Sequence, residues 1–191
     1  MIIRDVYSHK DGERYIIKHH QKELDEIISA IDQINVEIIF QKKTLEKTKS
    51  GTLFSPKKLN ASIYNYLEPL GWDSKNRRIK HTRKEFREID GLKNRVGLEL
   101  QFGKYAFMGY DILLKMPIFH KKGIIDCGVE VVVMPSMIKY MSTGIGSFTQ
   151  ITSDLRERGV SDLDIPTIII GIDCKKTEWE YIGAKKHERS V

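Results

Sequence analysis

Asp90, Glu99 and Gln101 are the residues whose types and spacing could do chemistry. Val96, Leu98, Leu100 and Phe102 alternate with Gly97, Glu99 and Gln101, so an extended chain turns the first set into a core and the second outward. Glu99 and Gln101, two apart, leave such a strand on the same side, and Gly91 to Arg95 carries turn chemistry that brings Asp90 back beside Glu99. Two carboxylates at a strand end, next to a third polar group, can hold a divalent cation. Hard ions such as magnesium take oxygen ligands and complete their shell with water and phosphate. The same alternation also describes a plain amphipathic strand with solvated acids. In a chain with 30% charged residues, spacing by itself does not separate the two readings.

The elements around this stretch must position it. Residues 1–18 mix short apolar groups with charges and suit an edge element or an irregular lead-in. Leu24, Ile27, Ile28, Ile31 and Ile34 recur at helical intervals and predict an amphipathic helix over 19–34. Residues 36–40 are β-branched and aromatic and predict a strand; residues 41–51 read as a lysine-rich connector closed by a Ser-Gly turn. Ser55 and Pro56 start a helix with Leu59, Ile63, Tyr66 and Leu67 as its stripe, ending near Gly71. Residues 75–84 carry Lys75, Arg77, Arg78, Lys80, Arg83 and Lys84 with only Ile79 apolar, an exposed arm that could follow phosphates. A helix is predicted from Tyr105 to Met116, stopping before Pro117. Residues 123–134 are the most apolar run and predict a central strand, in which Asp126 and Glu130 are read as satisfied polar residues rather than metal ligands. A small-residue loop at 142–148, a helix at 149–158, a turn at 162–166 and a buried strand at 167–172 follow, before a polar end in which Trp179 and Tyr181 dock.

Helices before and after glycine-punctuated buried strands indicate an α/β fold of three layers, and 191 residues suit one domain spanning 1–191. Thirty-two Lys plus Arg against 26 Asp plus Glu give +6, which permits a polyanionic partner without requiring one. Cys127 and Cys174 have no companions at metal-ligand spacing and read as reduced packing residues, which with the lack of a signal-peptide pattern implies a cytoplasmic protein. No apolar stretch approaches the roughly 20 residues of a membrane span. The histidines form no zinc motif, the loop at 142–148 lacks a phosphate-binding lysine, and no serine or cysteine sits in a nucleophile elbow.

The pattern Asp-x8-Glu-x-Gln-Phe-x-x-Tyr from Asp90 to Tyr105 resembles the active-site hairpin of type II restriction endonucleases in the BstYI and BglII branch of the PD-(D/E)xK nucleases. The resemblance extends over residues 1–9, 47–60, 101–105, 141–145 and 168–172, most closely on the BstYI side. It implies a restriction-endonuclease-like fold with a mixed central sheet flanked by helices. It also implies Mg2+-dependent hydrolysis of double-stranded DNA with Asp90, Glu99 and Gln101 as catalytic residues. Asp90, Glu99 and the main-chain carbonyl of Leu100 would be the metal ligands. Gln101 stands where most of that superfamily has lysine, and Ile89 where it has proline; the glutamine matches the BglII-like variant.

By the same resemblance Lys104, Ser142 and Thr143 match base-contacting positions, and Arg156 and Arg158 lie near a similar Arg-Gly-Val stretch. Arg77 and Arg78, in the basic arm close in sequence to Asp90, are placed near DNA on account of the neighbouring hairpin. As plain structure, Lys104 would be a surface lysine and Ser142 and Thr143 would cap a turn. A palindromic target is matched by a homodimer, and similarity to BstYI points to purine-GATC-pyrimidine cut after the first purine. The exposed part of the helix at 19–34 and residues 115–122 are the candidate dimer surfaces. Two other readings stay open: a non-catalytic DNA-binding module, and a repair nuclease of related fold. Magnesium-dependent cutting separates the first, and strict palindromic specificity the second.

Overall fold

The computed structural model describes residues 1–46, 49–72, 77–80 and 85–187. The chain begins with strand β1 (Ile2–His9), helices α1 (Gly12–His19) and α2 (Gln21–Asp32) and the single turn α3 (Val36–Ile39). Hairpin β2 (Phe40–Glu46) and β3 (Lys49–Phe54) leads to helix α4 (Pro56–Leu67), and a small hairpin follows from β4 (Arg78–Lys80) and β5 (Phe86–Glu88). Strands β6 (Gly91–Lys93) and β7 (Val96–Leu100) precede a continuous helical stretch. It consists of α5 (Ala106–Tyr110), a π turn (Asp111–Lys115) and α6 (Met116–Lys121). Strand β8 (Cys127–Val133), the turn α7 (Pro135–Ile138), helix α8 (Phe148–Arg158), strand β9 (Thr167–Asp173) and helix α9 (Lys176–His187) complete it.

β1, β9, β8, β7 and β6 form one five-stranded sheet in that order. The β9, β8 and β7 strands are parallel and the two outer strands antiparallel. The lead-in is therefore an edge strand. On one face Leu98, Leu100, Val129, Val131, Ile168 and Ile170 pack against Ile16, Ile27, Ile31, Leu59 and Ile63 of α1, α2 and α4. On the other, Val132 and Ile169 meet Ile112, Phe148, Ile151 and Leu155, while Met116 and Phe119 pack with Ile89 and Ile125. Helices on both faces of a mixed sheet give the expected three-layer α/β architecture.

Several boundaries differ from the sequence reading for physical reasons. Residues 36–39 form a helical turn, not a strand: the Asn35 side chain accepts the Glu37 N–H at 2.8 Å, and Val36 and Ile39 are buried while Ile38 is exposed. The connector at 41–51 belongs to the β2–β3 hairpin; Lys47, and the side chains of Lys42, Lys43 and Lys49, lie outside the described residues. The helix after the hairpin does not stop before Pro117. Proline sits in the first turn of α6, where its missing N–H is tolerated, and the π turn before it shifts the hydrogen-bond ladder. Ser55 caps α4 by accepting the Lys58 N–H at 3.4 Å, as the Ser-Pro pair predicts. Cys127 and Cys174 are buried free thiols, pushed up to about 12 by burial. Trp179 and Tyr181 pack against the main core through α9.

Candidate active site

β6 and β7 are joined by a two-residue turn in which Asn94 and Arg95 both adopt positive φ, 44° and 68°, the handedness that matches the twist of a tight hairpin. Side chains pin it: the Arg95 guanidinium pairs with Asp126 and with the carbonyl of Gly123, and Asn94 donates to Glu23 at 2.6 Å. With Gly91 opposite Leu98, the preceding Asp90 comes level with the end of β7, and its Oδ2 accepts the Leu100 N–H at 2.8 Å. The Asp90 carboxylate has no further hydrogen-bond partner among the described residues. Arg77 steadies the entry, donating to the Asp90 carbonyl at 2.9 Å and pairing with Glu88 at 2.8 Å.

The polar face of β7 does not look outward, as the alternation predicted. It faces the helical stretch 106–121, and Glu99 is buried. Lys115 Nζ lies 2.8 Å from Glu99 Oε1 and 2.6 Å from Asp111 Oδ1. Gln101 donates to Asp111 Oδ2 at 2.9 Å, and its own Oε1 accepts the Gly103 N–H at 3.0 Å, so its amide orientation is fixed. Asp111 and Lys115 open and close the π turn. Sequence reading missed both; an i,i+4 Asp/Lys pair inside a largely apolar helix was the available signal.

Glu130 corrects a further expectation. It lies in the middle of β8, opposite Glu99 in the parallel ladder, is 0% exposed, and neither carboxylate oxygen has a hydrogen-bond partner among the described residues. Asp126 is satisfied by Arg95, as expected. Burial pushes the Glu130 carboxyl well above its ordinary range, and nearby Asp111 and Glu99 push it further. Burial raises Glu99 as well, with Asp111 and Asp90 adding to the effect against the opposing Lys115. Asp111 is raised by burial against the pull of Lys115 and Gln101. For Lys115, burial is outweighed by Glu99 and Asp111, which hold the ammonium charged.

The donors here are carboxyl oxygens, those of Asp90, Glu99, Asp111 and Glu130, beside one ammonium, Lys115. Among the described residues no three His, Cys, Asp or Glu side chains are arranged to hold a metal on their own. The chemistry fits a hard cation that keeps water and phosphate in its shell, with Asp90, Glu99 and the Leu100 carbonyl as the protein oxygens that could hold it.

The proposed DNA-contacting residues fall into separate places. Lys104 and the loop at 142–144 are brought together: Lys104 forms a β-bridge with Ile145 and donates to the Thr143 carbonyl at 2.5 Å. Thr143 is exposed and Ser142 buried. Arg156, on α8, stacks over Tyr7 at 4.8 Å from the ring centroid. Arg158 clamps the buried Asp164 with two contacts of 2.7 Å, and His9 reaches the same carboxylate at 2.9 Å. Helix α8 starts near Gly171 and ends at Asp164, ahead of β9, so Arg158 sits at the far end of the sheet from Lys104. Arg78 is exposed beside Glu88 at 2.7 Å; Lys75, His81, Arg83 and Lys84 lie outside the described residues.

A family model described as restriction endonuclease BglII/BglIII matches residues 4–172. No curated protein matches the chain. The fold is similar to the crystal structure of restriction endonuclease BglII complexed with a DNA 16-mer, at 17% identity over 92% of this chain and 80% of that one, with a TM-score of 0.75. It is also similar to the crystal structure of free BglII, at 17% identity over 92% and 81% of the two chains, with a TM-score of 0.62. Among the described residues no helix is long and apolar enough to cross a membrane.

Proposed function

The chain belongs to the BglII/BglIII family of restriction endonucleases and is a type II site-specific deoxyribonuclease, and from that premise we propose that it cuts purine-GATC-pyrimidine in double-stranded DNA with Mg2+, after the first purine, leaving four-base 5′ ends. The assignment to the BstYI side of the PD-(D/E)xK nucleases rests on the hairpin pattern and the flanking stretches. One observation carries the site: the Asp90 carboxylate bound to the Leu100 N–H, on the strand that carries Glu99 and Gln101. This supports Asp90, Glu99 and the Leu100 carbonyl as the oxygens that hold the ion and the scissile phosphate in register. When bound, the ion supplies charge that polarises the phosphodiester, favours hydroxide over water and steadies the leaving 3′ oxygen. Gln101 is neutral and cannot act as a general base. With its amide fixed by Asp111 and Gly103 it orients rather than transfers protons.

Lys104 and Thr143 are the base readers, since they meet on one surface beside the catalytic strand, with Ser142 buried in the same loop. Arg77 and Arg78 belong to the hairpin that braces Asp90, where a cation can follow the phosphates next to the cut. A palindrome cut on both strands calls for a homodimer. Phe107 and Leu114, 55% and 48% exposed on the helical stretch 106–121, offer an apolar face for the second copy. The DNA substrate and the buried free thiols support a cytoplasmic location.

Incubating the protein with unmethylated plasmid and Mg2+ and sequencing every cut end tests the reading. Discrete fragments with GATC 5′ ends are expected. Scattered ends would replace site-specific cleavage with a less specific nuclease, and tightly bound but intact plasmid would overturn the catalytic reading in favour of a binding module.

A further inference from the structure

One buried ammonium joins two of the carboxylates near the end of β7. Lys115 contacts Glu99 and Asp111 at 2.8 and 2.6 Å, and the second oxygen of Asp111 takes the Gln101 amide at 2.9 Å. A single side chain on the helix thus reaches the strand carboxylate directly and the strand amide through one intermediary. Asp111 and Lys115 bound a π turn, and such turns concentrate at functional sites. Glu130 stands opposite Glu99 in the ladder, wholly buried and without a hydrogen-bond partner among the described residues, so Lys115 is the cation that the strand carboxylate meets.

We propose that Lys115 is a positioning residue of the cleavage site, aiming Glu99 and, through Asp111, Gln101, and easing its hold on Glu99 as a divalent cation arrives. The inference rests on the Mg2+-nuclease reading and adds a residue to it. Its mechanism is electrostatic. Lys115 opposes the incoming cation by its charge and favours catalysis by its geometry, so its removal has two consequences of opposite sense. The site becomes more negative and binds a divalent ion more tightly; Glu99 and Gln101 lose their aim and cleavage slows. A lysine that only neutralised buried acids for the sake of the fold would not split the two.

The test compares wild type, Lys115→Met, Lys115→Arg and Asp111→Asn in two assays: calorimetric Mn2+ binding without DNA, and single-turnover plasmid cleavage in Mg2+. Lys115→Met is expected to bind Mn2+ about tenfold more tightly and to cleave about 10- to 100-fold more slowly. Lys115→Arg, which keeps the charge, recovers most of the cleavage and the wild-type Mn2+ affinity. Asp111→Asn keeps the shape but removes a negative charge; it binds Mn2+ more weakly and also cleaves slowly. Where Lys115→Met does not fold, the opposed Asp111→Asn signature decides. Wild-type cleavage by Lys115→Met, or Mn2+ affinities that do not move in opposite directions, overturns the proposal. A wild-type protein that binds Mn2+ and leaves plasmid intact sinks the nuclease reading instead, and the cation arm still judges Lys115.

Discussion

Replacing Glu130 by glutamine will flatten the dependence of stability on pH. Glu130 is 0% exposed with both oxygens unpartnered among the described residues, and burial raises its carboxyl well above the ordinary range, with Asp111 and Glu99 adding to the shift. In the unfolded chain the same group ionises in the usual carboxylate range. Between the two values the native state keeps a proton that the unfolded state has released. Stability is therefore fullest below the unfolded pKa and falls as pH rises towards the folded one, by about 1.4 kcal/mol for each pH unit in that window. Glutamine has the same shape and no proton to lose, so the variant drops this contribution. Near pH 5 the two proteins are close, because an unpartnered acid and an unpartnered amide carry similar desolvation costs of about 1–3 kcal/mol. Above that the variant becomes progressively the more stable. Residual slope remains from Glu99 and Asp111, whose carboxyls are also raised, chiefly by burial. Urea unfolding at pH 5, 6, 7 and 8 in EDTA measures the difference. Parallel stability profiles, or a variant weaker by a constant amount at every pH, would refute the reasoning.

Arg158→Met will lose about 2 kcal/mol, a figure discounted for the partial exposure of the arginine. The buried Asp164, which Arg158, the Ser161 N–H and His9 hold below the ordinary range against burial, loses its main partner. Urea unfolding reads the loss, and duplex affinity in Ca2+ by filter binding stays within about threefold of wild type if the arginine serves the fold rather than phosphates. Lys104→Ala will relax selection, improving cleavage at sites with one altered base relative to the intact site by about tenfold in competition digests; an unchanged ratio counts against the reader surface formed with Thr143. Phe107→Glu will shift sedimentation towards monomer if the exposed face of the helix after the hairpin joins two copies, and an unchanged dimer places the interface elsewhere.

How far the sequence speaks for itself varies along the chain. The alternation around Glu99 and Gln101 predicts both the strand and the shared side of the two residues, because period 2 is a local property of extended backbone. Asp90 was legible through Gly91 to Arg95, although only Asn94 and Arg95 make the turn and Gly91–Lys93 is already strand. That the polar face is covered was not legible, since which sheet face the predicted helix after the hairpin packs on is set by tertiary contacts and not by local pattern. The same helix supplies Asp111 and Lys115; both lay inside the predicted span Tyr105 to Met116, but their meeting with Glu99 and Gln101 depends on tertiary packing. Glu130 shows the limit from the other direction: nothing local distinguishes a buried carboxylate that is paired from one that is not, and the answer lies in the β7–β8 register. Residues 36–39 failed as a strand because a cap at Asn35 outweighed β-branched composition.

The most direct test of the central claim, that the Asp90–Glu99–Gln101 hairpin cuts DNA, is single-turnover cleavage of a duplex bearing one AGATCT site by wild type and Asp90→Ala, with and without Mg2+. The account predicts Mg2+-dependent scission by wild type at one position on each strand. It also predicts a loss of about a hundredfold or more in the variant, which still binds the duplex in Ca2+. Equal cleavage by both proteins, or cleavage by wild type in EDTA, would contradict it.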